Sequence, residues 1–457
     1  MTATPGDLEK ELLGNLSQNS QRPDRAIIKK ASAFAKKAHH GQERSSGEPY
    51  VIHPLQTALI LNSWNQDEAS LIAGLLHDTI EDAGTSLEEI EQAFGKEVRY
   101  LVDAVTKVSR VDLKKDRSKE KSLKKMFLAM STDLRVIVVK MADRLHNIQT
   151  VAFLPEKRRR RFCEETRQIY APLAYKLGMN KIKGDLLDYC FAAEEPKKYA
   201  WVKNHSCEEA ERRTETLTTL AAQIVKALSA ANVPFVDYDI LKKHWYSLHK
   251  KLHRKEIDKD LRNIYDLVTL RLVVGSEKDC YTALGVVHST FKPTPNIGIS
   301  DFIAQPRPNG YRALHTRVAG PNGLVFEIQI RSQEMHQQSD FGIITDLSKP
   351  KTQQESAPAL ESRLFWTGRL IEWQESFPEK PPQEKFIKSL GKEMLRPSIY
   401  VLSGRGEVVE LPQGSTVRSY LKTAGVSPRV SVRVDGKKAK LQKVLKGGEL
   451  ITLGNSN

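Results

Sequence analysis

GLLHDTIED, residues 74–82, sets an apolar stripe beside a row of groups able to bind protons or metals. Leu71, Ile72, Leu75 and Leu76 recur at helical spacing, and His77, Asp78, Glu81 and Asp82 stand next to them. At 3.6 residues per turn, one helix through this stretch places His77 a turn from Glu81 and Asp78 a turn from Asp82. The stretch is either the solvated side of an ordinary helix or part of a site. Its period settles the fold class around it. From residue 25 to about 195 apolar residues keep recurring at i, i+3 and i+4, which predicts an all-α domain.

The chain of 457 residues is too long for one core, so several domains are expected. Its formal net charge of +15 points to a polyanionic partner: a nucleic acid, an acidic surface or a phosphate-rich ligand. The basic runs KRRRR (157–161) and LKKDRSKEKSLKK (113–125) add little to this, since such runs are most often solvated faces or mobile loops. No apolar run nears the roughly 18 residues of a spanning helix, and no signal peptide opens the chain, so no membrane partner and a cytoplasmic location are expected. Cys163, Cys190, Cys207 and Cys280 show no C-x-x-C spacing, which argues against a disulfide framework or a thiolate zinc site.

The pattern changes beyond residue 195. A helix is expected over 205–232, ended by Asn-Val-Pro at 232–234. IYDLVTLRLVVG (264–275) and GLVFEIQIRS (323–332) read as strands, giving an α+β domain. KPKTQQESAPALES (349–362) reads as a linker, with amphipathic helices to about 395. IYVLSGRGEVVEL (399–411) and VSVRVDGKKAKL (430–441) predict two hairpins turning at Gly404–Gly406 and Asp435-Gly436.

Two further stretches give GLLHDTIED a context. YVIHPLQTALIL places His53 before a proline at a helix entrance, and VIVVKMADRLHNIQT places Asp143 after an apolar run. His53, His77, Asp78 and Asp143 supply two imidazoles and two carboxylates, a set suited to Mn²⁺, Fe²⁺ or Zn²⁺ rather than Ca²⁺. The order H…HD…D on a helical frame resembles the HD phosphohydrolases. AHHGQERSSGEPYVIHP, GLLHDTIEDAGTS and VKMADRLHNIQT together resemble the hydrolase domain of the RelA/SpoT homologues, which act on ppGpp.

That resemblance implies four metal ligands (His53, His77, Asp78, Asp143) for Mn²⁺, with Glu81 and Asp82 positioning and deprotonating water. It implies that Arg44 binds phosphate or stacks on guanine, and that Ser46, Asn147 and Thr150 contact the nucleoside. Ser45 stands where members of the family commonly have Lys.

Four stretches resemble the family's nucleotidyltransferase-like synthetase domain. KKHWYSLHKKL (242–252) puts Lys243, Ser247 and Lys251 at i, i+4 and i+8, one face of an expected helix. By resemblance these three bind nucleotide, Asp266 binds Mg²⁺ and Arg271 meets ATP. PRPNGYRALHT (306–316) contributes Arg307, Asn309, Tyr311 and His315, with Tyr311 stacking on guanine. FEIQIRS alternates, with Phe326, Ile328 and Ile330 toward a core and Glu327, Gln329 and Arg331 on the other side; Glu327 serves metal or 3′-hydroxyl activation. The implied reaction is pyrophosphate transfer from ATP to GDP or GTP. Leu241 and Gly298, Ile299 and Ser300 stand where the family has charged residues, which predicts a weakened synthetase.

The last 60 or so residues resemble a TGS module, a small β-grasp domain that implies contact with tRNA or the ribosome. The expected organisation is 1–195 hydrolase, 196–348 synthetase with its leading helix, 349–396 linker and connecting helices, and 397–457 TGS. The rival readings are an RNA-binding adaptor with relic sites and an HD enzyme for other nucleotides.

Overall fold

The computed structural model describes residues 4–109, 133–347 and 398–454, apart from 255, 256, 258, 296, 297, 308, 405, 407, 428 and 429. The expected linker and connecting helices over 349–396 and the basic run 113–125 lie outside the described residues. Two compact units form, Met1–Ile387 and Lys388–Asn457. No described helix is long and apolar enough to cross a membrane.

The first unit begins with helices throughout. Ile52–Ser63, Glu68–Leu76 and Arg135–Gln149 pack on one another. Every residue of Ala69–Leu76 is buried, and each buried Leu or Ile is worth about 1.5–3 kcal/mol. Gly74 allows the close crossing: a Cβ there would lie 2.5 Å from Leu61 Cδ1.

One expectation is corrected at GLLHDTIED. The stretch is not a single helix, because Glu68–Leu76 stops at His77 and a new turn spans Thr79–Asp82. The carbonyls at such an end need donors. Here side chains supply them: His77 Nδ1 to Gly74 O at 2.8 Å and Thr79 Oγ1 to Leu76 O at 2.7 Å. The break turns His77 and Asp78 inward and leaves Glu81 and Asp82 at the surface.

Pro196–Ala230 leads into a five-stranded sheet. Its strands are β1 (Phe235–Lys242), β2 (Val268–Val274), β3 (Ser300–Asp301), β4 (Leu314–Ala319) and β5 (Val325–Ser332). The order is β1-β2-β5-β4-β3, with β2 and β5 parallel and the other neighbours antiparallel. Phe326, Ile328 and Ile330 alternate into the core with Leu270 and Leu272, against Leu217, Cys280 and Val287. The opposite face is polar. β1, β3 and β4 were not anticipated. Because β1 runs through Lys242 and the next helix is Trp245–Leu252, Lys243 lies outside that helix; the expected single face of Lys243, Ser247 and Lys251 is corrected.

The helix Asn180–Glu194 joins the helical half to the sheet half. Asp188 accepts hydrogen bonds from the Trp245 and Tyr246 amides at 3.2 and 2.8 Å and sits 2.9 Å from His244 Nδ1, capping Trp245–Leu252. Gly342 adopts φ +55°, and a Cβ on it would meet Leu177 O at 2.0 Å. That close approach lets the Ile343 amide reach Leu177 O at 2.9 Å.

In the second unit, β6 (Ser398–Ser403), β7 (Val408–Pro412), β8 (Ser431–Val434), β9 (Lys437–Lys438) and β10 (Leu450–Gly454) order as β7-β6-β10-β8-β9. Both expected hairpins form, and β10 runs parallel to β6. Val417–Thr423 packs Val417, Tyr420 and Leu421 against Val401, Val432 and Ile451.

Candidate active sites

Three helices converge on the first site. His53 comes from Ile52–Ser63, His77 from the end of Glu68–Leu76 and Asp143 from Arg135–Gln149, and their donor atoms all lie within 4.8 Å of one another. The two Nε2 atoms are 3.1 Å apart, and Asp143 Oδ1 lies 3.2 Å from that of His53 and 3.7 Å from that of His77. Asp78 adjoins both rings, Oδ1 at 3.2 Å from His77 and Oδ2 at 3.4 Å from His53.

The donor set fits a divalent cation. His77 Nδ1 donates to Gly74 O, which fixes the tautomer that leaves Nε2 a lone pair, the outer support usual for metal-binding histidines. Two imidazole lone pairs and two carboxylates facing one buried point repel unless a cation lies among them. Burial opposes a charged His77, yet Asp78 and Asp143 outweigh it and push its pKa up to about 9. The cluster thus stabilises positive charge.

Sequence reading missed several supporting residues. Lys140, three residues before Asp143, is buried and paired with it. Burial resists the Asp143 charge, but Lys140 holds its carboxyl well below the usual range. Asn147, already expected at the nucleoside, donates through Nδ2 to Asp143 and accepts through Oδ1 from Arg44 Nη2 at 2.5 Å. His146 Nδ1 lies 2.7 Å from His53 Nδ1 and 3.4 Å from Arg44 Nη1. Burial first, then His53 and Arg44, push His146 down to about 3, so its ring is neutral. Tyr50 Oη lies 3.0 Å from Asp78 Oδ2 and 2.6 Å from Asp82 Oδ2, and burial together with these acids raises its pKa, keeping it a donor. The signal for Lys140 was a lysine inside the apolar run VIVVKMA; Tyr50 carried none.

The loop bearing Arg44 folds back through Arg44 N to Glu48 O at 2.9 Å, bringing the guanidinium to Asn147. Ser46 instead bonds Glu48, and Thr150 bonds Asn147 O at the end of its helix. Glu81 is exposed beside the cluster.

The second site lies on the polar face of the sheet. Asp266 receives Lys243 Nζ at 2.5 Å and Lys251 Nζ at 2.7 Å. Burial opposes its charge, but the lysines hold it down at about 2. Glu327, on β5, meets His315 Nδ1 at 3.4 Å, Arg317 Nη2 at 3.2 Å and Gln329 Nε2 at 3.1 Å. Tyr311 Oη lies 2.7 Å from His315 Nε2, while Arg307 packs over Phe302 at 4.1 Å and Tyr311 at 5.1 Å. Asn309 bonds Asn180 and the Tyr311 amide. Ser247 is half-buried and takes no part in the Lys–Asp cluster. Arg271 is held by Asp239, opposite it on β1, and by both oxygens of Asp340 at 2.8 and 2.9 Å. Asp301 takes a local role, accepting from the Ile303 and Ala304 amides. Leu241 lies part-exposed on the edge strand.

Comparison with known proteins matches residues 31–180 to the HD domain and 242–354 to the region found in RelA / SpoT proteins. The GTP pyrophosphokinase of Streptomyces coelicolor is 36% identical over 447 residues, covering 94% of this chain and 52% of that protein. The bifunctional (p)ppGpp synthase/hydrolase SpoT of Escherichia coli is 34% identical over 430 residues, covering 93% and 60%. A solved structure described as a metazoan ortholog of SpoT that hydrolyzes ppGpp is 27% identical, covers 37% of this chain and 96% of its own, and has a TM-score of 0.32. This chain spans about half the length of the curated relatives it matches. The helical half matches the HD domain and the sheet half the RelA / SpoT region, and with relatives similar over most of its length the chain is a homologue of the long-type RelA/SpoT proteins.

Proposed function

We propose that this chain hydrolyses the 3′-pyrophosphate of (p)ppGpp to GDP or GTP and pyrophosphate, in the cytoplasm, with Mn²⁺ as its ion. The buried convergence of His53, His77 and Asp143, flanked by Asp78, carries the reading. A divalent ion there supplies charge to a phosphoryl oxygen and acidifies water. Asp78 and Asp143 balance its charge, and the Gly74 carbonyl orients His77. Tyr50 holds Asp82 at the rim, where Glu81 and Asp82 take the proton of the attacking water. Arg44, oriented by Asn147, meets phosphate or the guanine plane, its fork suiting either. Ser46, Asn147 and Thr150 contact the nucleoside.

The second site supports pyrophosphate transfer from ATP to GDP or GTP, with Asp266 and Glu327 holding Mg²⁺ and Tyr311 stacking on guanine. Such catalysis is mostly positioning and charge neutralisation. Here both lysines are engaged by Asp266 and Arg271 by two acids, so synthesis is weak or conditional. Residues 398–454 act as a TGS-type β-grasp module contacting tRNA, consistent with the parallel β6–β10 pair and its packed helix.

The test is Glu81→Gln, assayed by chromatography with ppGpp and, separately, with ATP plus GDP. Turnover of ppGpp should fall by roughly 10²-fold or more, the usual worth of a general base, with bound metal unchanged. Loss of metal in this variant would make Glu81 a ligand. Unchanged turnover would remove it from the mechanism.

A further inference from the structure

Arg331 ends the polar row of β5 that begins with Glu327 and Gln329, and its side chain is 1% exposed. Among the described residues its Nε and Nη1 have no hydrogen-bond partner. Nη2 reaches Gln329 Oε1 only at 3.4 Å, a long contact. The carboxylate nearest in charge is Asp340, 3.9 Å from Nη1, but both its oxygens already accept from Arg271. Asp239 is taken by Arg271 as well. Two acids and two arginines thus share this face, and one arginine holds both acids.

A buried guanidinium with two of its three nitrogens unbonded is costly, and such groups are rare unless something else meets them. A second orphan accompanies it. His336 Nδ1, on the helix Gln333–Phe341, is also buried without a hydrogen-bond partner among the described residues, and its ring lies in the field of Arg331. Tyr311, whose hydroxyl reaches the same Gln329 oxygen at 3.3 Å, ties this corner to the second site. Arg331 therefore lies on the same face of the sheet as Glu327 and His315.

We propose that Arg331 is an anion-binding residue of the second site, with Nε and Nη1 taking oxygens of a nucleotide polyphosphate. The inference rests on the reading of that site as a pyrophosphotransferase. It supplies a planar cation to a face where Leu241 and Gly298–Ser300 contribute none. Nε and Nη1 lie on different edges of the guanidinium, so each meets its own phosphate oxygen, a spread that a compact ammonium does not offer.

The test uses the full chain carrying Asp78→Ala, so that turnover at the first site is suppressed, with Arg331→Met and Arg331→Lys added singly. Affinity is measured by calorimetry for α,β-methylene-ATP and, separately, for GDP, and each variant is melted. Arg331→Met should melt at or above its parent, because it removes an unmatched buried charge. It should bind one of the two ligands roughly ten- to a hundredfold more weakly, the worth of a charge-assisted contact, with Arg331→Lys in between. A loss confined to the ATP analogue assigns Arg331 to the donor triphosphate; one confined to GDP assigns it to the acceptor diphosphate. Equal binding of both ligands by Arg331→Met overturns the inference, as does a melting point well below the parent, which would make the guanidinium structural. A parent that binds neither ligand defeats the reading of the site itself, and the inference with it.

Discussion

Asp78→Ala is expected to lose its divalent ion and slow ppGpp hydrolysis by on the order of 10³-fold or more. A metal supplies several kcal/mol to a phosphoryl transition state, and each 1.36 kcal/mol is tenfold. Asp78 lies in the break between two helices and touches His53, His77 and Tyr50 rather than the apolar core. Far-ultraviolet circular dichroism should therefore match the parent. The check is elemental analysis after gel filtration, run beside turnover. A variant that keeps stoichiometric Mn²⁺ and cleaves ppGpp at the parental rate would strike Asp78 from the ligand set.

Lys140→Met should cause the largest loss of stability. Lys140 is buried beside Asp143, and removing one partner of a buried pair costs about 3–5 kcal/mol, because the other charge is left without compensation. At about 2–4 °C per kcal/mol for a unit of this size, melting should drop by on the order of 10 °C. Manganese should restore part of it, since a ligand at about 100 times its Kd stabilises the folded state by roughly 2.7 kcal/mol. Lys140→Met with Asp143→Leu should regain stability without metal, as both charges are gone. If Lys140→Met alone melts with the parent, the pair is not what balances Asp143.

The helical frame and the order His53, His77-Asp78, Asp143 were legible because each sits on a strongly periodic segment, where the apolar stripe fixes the face. FEIQIRS was legible for the same reason at period two: Phe326, Ile328 and Ile330 are fully buried in the core. Legibility failed where side chains replace backbone bonds. Nothing in GLLHDTIED announces that His77 and Thr79 will satisfy the carbonyls of an interrupted helix. It failed again where partners are remote in sequence. Arg271 reads as a free cation until the fold brings Asp239 and Asp340 to it, 32 and 69 residues away. Lys243 reached Asp266 as a cation should, though from an extended segment rather than from the expected helix.

The cap that Asp188 places on Trp245 and Tyr246 has a kinetic meaning. An amide proton held by a carboxylate on another helix exchanges with solvent only when the two helices part. Those two protons, on the helix that carries Lys251, are thus a clock for separation of the helical and sheet halves. Their deuterium uptake, followed with guanine nucleotide added to either half, would read out that opening without labels or catalysis.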